Sequence, residues 1–113
     1  RHRIPRWTRR LIFRLRHGFV PRDCWNLDKA LAKWLWVRLL HLADMTHGAP
    51  CGYPDGGDET DFEAWRYDLI QAGLALRDFV QYDGDSFEEE IRLNQEAQDA
   101  INWVAKNFHS LWD

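Results

Sequence analysis

The sequence has few of the residues on which cross-linking and membrane insertion depend. Its 113 residues include only two cysteines, Cys24 and Cys51, which form neither a disulfide framework nor the Cys-x-x-Cys spacing of a metal site. We therefore expect free thiols and a reducing, cytoplasmic location. No apolar run approaches the ~20 residues that cross a membrane as a helix. These absences exclude a disulfide-rich scaffold and predict a protein without a membrane span.

Sequence motifs of catalysis are absent as well. There is no His-Glu-x-x-His, no phosphate-binding glycine loop and no Gly-x-Ser-x-Gly. His41, Asp44, His47 and Cys51 are the only cluster of metal-binding residue types. His41 and His47 are six residues apart and would face different sides of a helix, so three ligands do not converge. We predict no metal, no cofactor and no enzymatic activity.

Aromatic residues and arginines are plentiful instead. Seven Trp, six Phe and three Tyr give a short chain either a larger core or a binding surface. The net charge of −3 hides an asymmetry, because residues 1–22 hold eight arginines and no acid. Residues 23–113 hold seven Lys or Arg against eighteen Asp or Glu. A basic arm on an acidic body predicts either docking within the protein or an anionic partner.

The spacing of apolar residues predicts helices and no strand. A basic amphipathic helix is expected over residues 5–17, ending at Gly18. A second helix is expected over residues 26–46, with Asp23 or Asn26 as its N-cap. This second helix is apolar nearly all round, which is typical of a central helix or of one at an interface.

Two more helices follow a glycine- and proline-rich loop. Thr60 and Ser86 each precede a Glu by three residues, which predicts a capping box at the start of each helix. The short turn at residues 81–85 should make these helices antiparallel neighbours, the last one continuing to the chain end. The prediction is an all-α fold with a three-helix antiparallel core and an N-terminal basic amphipathic helix. We treat residues 1–113 as one domain, with a basic arm (1–22) and an acidic body (23–113).

Three tryptophans, one just before the second helix and two within it, receive different interpretations. Trp34 belongs to a stripe at 3–4 spacing and is predicted to lie in the core. Trp36 and Leu40 lie on other sides of the helix and are candidates for an interface between chains. Trp25 precedes the helix and is close in sequence to the basic arm, so it is a candidate for binding.

The candidate ligand-binding residues combine arginines with aromatic side chains. Arginine can bond phosphates with its fork of N–H groups, aromatic rings can stack on bases, and a helix N-terminus can hold an anion. The candidates are Arg6, Trp7, Arg9, Arg10, Phe13, Arg14, Trp25 and Asn26.

Three stretches give the chain a resemblance to a group of small phage and prophage proteins. They are DCWNLDKALAKWLWVRL (residues 23–39), the Glu-x-Trp at 63–65, and the closing NFHSLWD (residues 107–113). The group has no assigned chemistry, and the Arg-rich start and the Gly-rich loop do not match its pattern. The resemblance implies a helical accessory protein in the cytoplasm of an infected or lysogenic bacterial host. By analogy, such proteins act by occluding a host protein or by sequestering a nucleotide signal.

These observations leave three hypotheses about function, all without catalysis. The first is a homo-oligomeric binding protein that holds an anionic, nucleotide-like ligand or blocks a host protein. The second is a nucleic-acid-associated protein that grips phosphates with its arm, although the acidic body would repel a long polyanion. The third is an assembly protein whose arm docks on a neighbouring subunit.

Overall fold

The computed structural model describes residues 8–9 and 27–112. Within these residues the chain contains helices and no strand, and it confirms the prediction of an all-α fold with a three-helix core. The helices are α1 (Leu27–Met45), α2 (Phe62–Gln81) and α3 (Phe87–Lys106), followed by a 3-10 turn at Phe108–Ser110.

The N-terminal part of the chain is described at two residues. Thr8 and Arg9 have helical backbone, and the remainder of the basic helix expected over residues 5–17 lies outside the described residues. The chain divides into two compact units, residues 1–31 and 32–113. The treatment of residues 1–113 as one domain stays a prediction.

The second unit is organised around Trp65 of α2, which is 1% exposed. Its ring lies 5.3 Å from that of Trp103, measured between centroids. Because Trp65 is near the start of α2 and Trp103 near the end of α3, the two helices are antiparallel, as the short turn predicted. Small side chains from the other helices leave room for the large indole. The buried cluster comprises Ala32, Leu39, Ala43, Tyr53, Trp65, Leu69, Ala72, Leu76, Ala97 and Ala100.

A glycine brings α1 and α2 close together. A Cβ placed on Gly73 would lie 3.0 Å from Cγ of Leu40 and 3.2 Å from the carbonyl oxygen of Trp36. Nearby, Nε of Arg66 in α2 donates to the carbonyl oxygen of Ala43 at 2.9 Å. The backbone of α1 therefore lies almost in contact with α2 at Gly73. A larger residue at this position would require the two helices to separate.

The loop between α1 and α2 has an ordered base. The N–H of Gly52 donates to Oγ1 of Thr60 at 2.8 Å, and the N–H of Asp61 donates to the carbonyl oxygen of Tyr53 at 2.9 Å. Gly52 and Gly56 have φ values of 71° and 79°, in the region that favours glycine. The Tyr53–Pro54 peptide bond is cis. The composition predicted a loop here, and the structure adds that the loop places Tyr53 in the core.

The start of α2 differs by one residue from the sequence prediction. Asp61, not Thr60, is the N-cap, and its carboxylate accepts from the N–H of Ala64 at 3.0 Å. The hydroxyl of Thr60 instead accepts the hydrogen bond from the N–H of Gly52 in the loop. The prediction for the next helix is confirmed at its cap, since Oγ of Ser86 accepts from the N–H of Glu89 at 3.3 Å.

The end of α3 also differs from the prediction, and the large apolar residues Phe87 and Ile91 near its start do not lie on its buried face. Both are exposed, as is Phe108 beyond the helix end. Leu93, Ala97 and Ala100 are buried instead. The helix ends at Lys106, where Nδ2 of Asn107 donates to the carbonyl oxygen of Trp103 at 3.0 Å. The prediction that this helix continues to the chain end is wrong, and the Asn107 side chain caps one of the carbonyl groups that the end of the helix leaves without a partner in the helix.

Candidate functional site

The outward face of α1 exposes a row of large side chains. Five of them are apolar, and each keeps between 43% and 61% of its surface accessible. Arg38 and His41 lie exposed among them. We call this surface the α1 strip; it comprises Leu27, Leu31, Trp34, Val37, Arg38, His41 and Met45.

Trp34 and Arg38 form the centre of the α1 strip. The guanidinium carbon of Arg38 lies 4.1 Å above the centroid of the Trp34 ring. The same guanidinium donates from NH1 to the carbonyl oxygen of Trp34 at 2.8 Å. A cation over the face of an indole is attracted by the negative face of the ring. The pair holds the large indole in one orientation on the surface, where it remains 57% exposed.

The prediction that Trp34 lies in the core is wrong. α1 has apolar residues on nearly all sides, so its periodicity does not tell which face is buried. The buried residues are Ala32, Leu39 and Ala43, two of which are small and permit the close approach to α2. Burying Trp34 on that face would have required a much wider separation of the helices.

Trp36 and Leu40, the candidates for an interface between chains, are half-buried within this chain. Trp36 packs against the hydrophobic cluster, and the Leu40 side chain lies over Gly73. Their assignment to an interface stays a prediction, and their packing favours the opposite face of α1 for that role. The residues of this outward face are spaced alternately four and three residues apart, but that spacing does not tell from the sequence whether the face is buried; they are Leu27, Leu31, Trp34, Arg38, His41 and Met45.

A second feature is a polar network among the core aromatics. Nε1 of Trp103 donates to the hydroxyl of Tyr53 at 3.1 Å, and that hydroxyl donates to Oδ2 of Asp68. The Tyr53 ring meets Trp65 edge to face, with centroids 5.1 Å apart. Burial, and then the bond to Asp68, raises the pKa of Tyr53 to about 12, against a smaller lowering effect of the Trp103 N–H. A phenol with this pKa stays protonated at neutral pH and can donate to Asp68, so the network ties the loop residue Tyr53 to α2 and α3.

Asp68 and Trp103 also line a groove of about 490 Å³ between α2 and α3. The groove is acidic, but its carboxylates already have partners in the chain. Each carboxylate accepts a hydrogen bond from another side chain: Tyr53 donates to Asp68, Arg77 to Asp78, Arg92 to Glu96 and Gln95 to Asp99. Among the described residues, no buried side-chain nitrogen or oxygen lacks a hydrogen-bond partner. Among the described residues, the groove therefore shows no buried polar atom without a hydrogen-bond partner and no carboxylate without one.

The predicted ligand-binding residues fall mostly in the part of the chain that the structure does not describe. Arg9 is exposed on helical backbone. The other candidates lie outside the described residues: Arg6, Trp7, Arg10, Phe13, Arg14, Trp25 and Asn26. The proposal of an anion site at these residues stays a prediction.

Two further properties concern only residues 8–9 and 27–112. No three His, Cys, Asp or Glu side chains there are placed to hold a metal ion together, the cluster from His41 to Cys51 included. None of the helices in this part of the chain combines the length and hydrophobicity that a membrane crossing requires.

Comparison of the chain with protein-family models, with curated proteins and with solved structures returned no match. A function must therefore be inferred from the chain's own surfaces, of which the α1 strip is the most distinctive.

Proposed function

We propose that this protein acts by binding another protein, without catalysis, and that the α1 strip is its contact surface. The observation that carries the proposal is the exposure of Trp34 with Arg38 stacked on it at 4.1 Å. Trp and Arg are enriched among the residues that contribute most to binding energy, and Met is enriched in interface cores. Trp34, Arg38 and Met45 thus give the strip the composition of an interface centre.

The shape of the strip supports a protein partner rather than a small molecule. Small ligands are held in concave pockets that bury most of their surface. The strip is the convex outer face of one helix, and it extends from Leu27 to Met45. Eighteen residue steps along a helix span about 27 Å, which suits a second helix or a groove on a protein.

Photo-crosslinking from the strip tests this proposal. Benzoylphenylalanine in place of Trp34 should form discrete protein adducts in bacterial cells that express the protein. The same probe in place of Phe87, which is 73% exposed on α3, is the matched control and should not form them. Adding Val37→Asp should abolish the adducts, because a carboxylate would be buried without a partner in the contact. Equal labelling from both positions, or adducts that survive Val37→Asp, would refute the proposal.

A second candidate function follows from the charge distribution. Eight arginines without an acid in residues 1–22, among them the exposed Arg9, favour an anionic ligand such as a nucleotide. A nucleotide should then raise the melting temperature of the protein, and Arg9→Ala should reduce that rise. Arg92→Ala, an exposed arginine of α3 paired with Glu89 and Glu96, is the control that should leave the rise unchanged. If no nucleotide shifts the melting temperature, this candidate is rejected.

The same arginines would serve nucleic-acid binding, and the salt dependence separates the two cases. Affinity for DNA or RNA should fall steeply with salt, with a slope set by the number of phosphates engaged. A salt-independent affinity would exclude that alternative.

A further inference from the structure

The α1 strip has the spacing of a coiled-coil seam. Its positions 27, 31, 34, 38, 41 and 45 alternate steps of four and three residues, the a and d positions of a heptad. All six are exposed, whereas the inner face of the same helix is occupied by its own core. A seam of this kind is complementary to another helix that carries the same spacing.

We propose that the α1 strip packs against the α1 strip of a second copy of this chain, with the two helices antiparallel about a twofold axis. This inference rests on the proposed function, since it names the partner of the same surface. A twofold interface uses one patch twice, so the patch must be complementary to itself. The centre of the strip meets that condition, because Trp34 offers an aromatic face and Arg38 offers a cation one turn away.

The direction of the two helices follows from the charge at the centre. In a parallel pair, equivalent residues face each other, so Arg38 would lie opposite Arg38 of the second copy. Two guanidinium groups in one layer repel each other where water is excluded. In an antiparallel pair an a position faces a d position, so Arg38 lies against Trp34 of the second copy. Each cation then keeps an aromatic face, and Val37 lies close to the axis.

The area that such a pair hides is compatible with a dimer. The exposed parts of the five apolar side chains amount to on the order of 500 Å² per chain, which is large for a monomer surface. Two copies would therefore hide roughly 1,000 Å², near the lower limit for a specific interface. We expect a dimer that dissociates on dilution rather than a permanent one.

Sedimentation velocity over a dilution series tests the pairing. The unaltered protein should shift from dimer to monomer, and Trp34→Ala should raise the dissociation constant about thirtyfold or more. Phe87→Ala removes an aromatic ring that is even more exposed than Trp34 and lies on α3, away from the strip, and it should leave the constant unchanged. Because Trp34 and Phe87 are both exposed, the helical circular dichroism of each variant should match that of the unaltered protein.

The helix direction has its own readout. A spin label at Asp44→Cys, with Cys24 and Cys51 replaced by Ser, places one probe per chain near the end of α1. Antiparallel packing about an axis level with residue 36 puts the two backbone positions about 24 Å apart along the helices. Parallel packing puts them about 10 Å apart, the ordinary distance between packed helices. A short distance overturns the antiparallel arrangement.

Failure of the inference can be told apart from failure of the proposed function. If the protein is a monomer at every concentration while position 34 still crosslinks to a different protein, the second copy is the wrong partner and the strip remains a binding surface. If the protein is a monomer and position 34 forms no adduct, both proposals are rejected. If Trp34→Ala leaves the dimer intact, the dimer uses another surface and the inference is overturned.

Discussion

Replacing Tyr53 by Phe should destabilise the protein while keeping the shape of its core. The substitution removes the hydroxyl that accepts from Nε1 of Trp103 and donates to Asp68. Tyr53 is 8% exposed and Trp103 is half-buried, so the indole N–H loses its partner at a site only partly open to water. An unsatisfied buried donor costs about 1–3 kcal/mol. We expect a loss of about 2 kcal/mol in the free energy of unfolding, or roughly 10 °C in melting temperature.

The size of this loss should depend on pH. Burial and the bond to Asp68 raise the pKa of Tyr53 to about 12 in the folded protein, whereas an unfolded tyrosine titrates near 10. Between these values the folded state holds the proton that the unfolded state has released, so stability falls as pH rises. The contribution of the hydroxyl is complete below pH 10 and is lost between about pH 10 and 12. This contribution amounts to roughly 1–3 kcal/mol for such a difference between the folded and unfolded pKa values.

Urea unfolding at pH 7, 9 and 11 provides the measurement. The difference in unfolding free energy between the unaltered protein and Tyr53→Phe should be constant at pH 7 and 9 and smaller at pH 11. Other titrating groups are present in both proteins and cancel in the difference. Tyr67→Phe, on a residue that is 61% exposed, should have no effect at any pH. A Tyr53→Phe protein as stable as the original at pH 7, or a difference that does not shrink at pH 11, would refute the reasoning.

The remaining predictions concern the loop and the helix caps. Gly52→Ala should cost about 3 kcal/mol or more, because its Cβ would meet the carbonyl oxygen of Gly57. Gly56→Ala should cost only about 1–2 kcal/mol, since the same positive φ is strained but the space around it is open; equal losses in thermal unfolding would contradict the clash. Asp61→Ala and Ser86→Ala each remove an N-cap and should cost about 1 kcal/mol, whereas Asn at either position should restore most of it. A helix start that tolerates Ala in chemical denaturation would show that its cap is not stabilising.

Much of the fold could be predicted from short-range patterns. The cap at Ser86 and the turn before it depend on residues that are neighbours in the chain. The buried residues Trp65, Leu69, Ala72 and Leu76 lie at helical spacing, because α2 has one apolar face and its periodicity therefore has a direction.

Short-range patterns in the sequence were least informative about the α1 strip. A helix that is apolar on nearly all sides can turn any face to the core. The sequence of α1 has no clearly polar face opposite a clearly apolar one, so it could not show whether Trp34 is buried. The role of Tyr53 was missed for a different reason. Its partners Asp68 and Trp103 are fifteen and fifty residues away in the sequence, and no local pattern records such contacts.

By itself the sequence determined that the described part of this protein is helical, that its last long helix begins after Ser86, and that the positive charge of the chain is concentrated in residues 1–22. Hydrogen bonds and side-chain spacing within a few residues decide those properties. Only the tertiary structure decided which face of α1 is buried. Because Gly73 has no side chain, Leu40 and the backbone of α1 pack directly against α2 at this point. With that face of α1 against α2, Trp34 and Arg38 face the solvent. The α1 strip is thus the outward consequence of a contact between residues more than thirty positions apart.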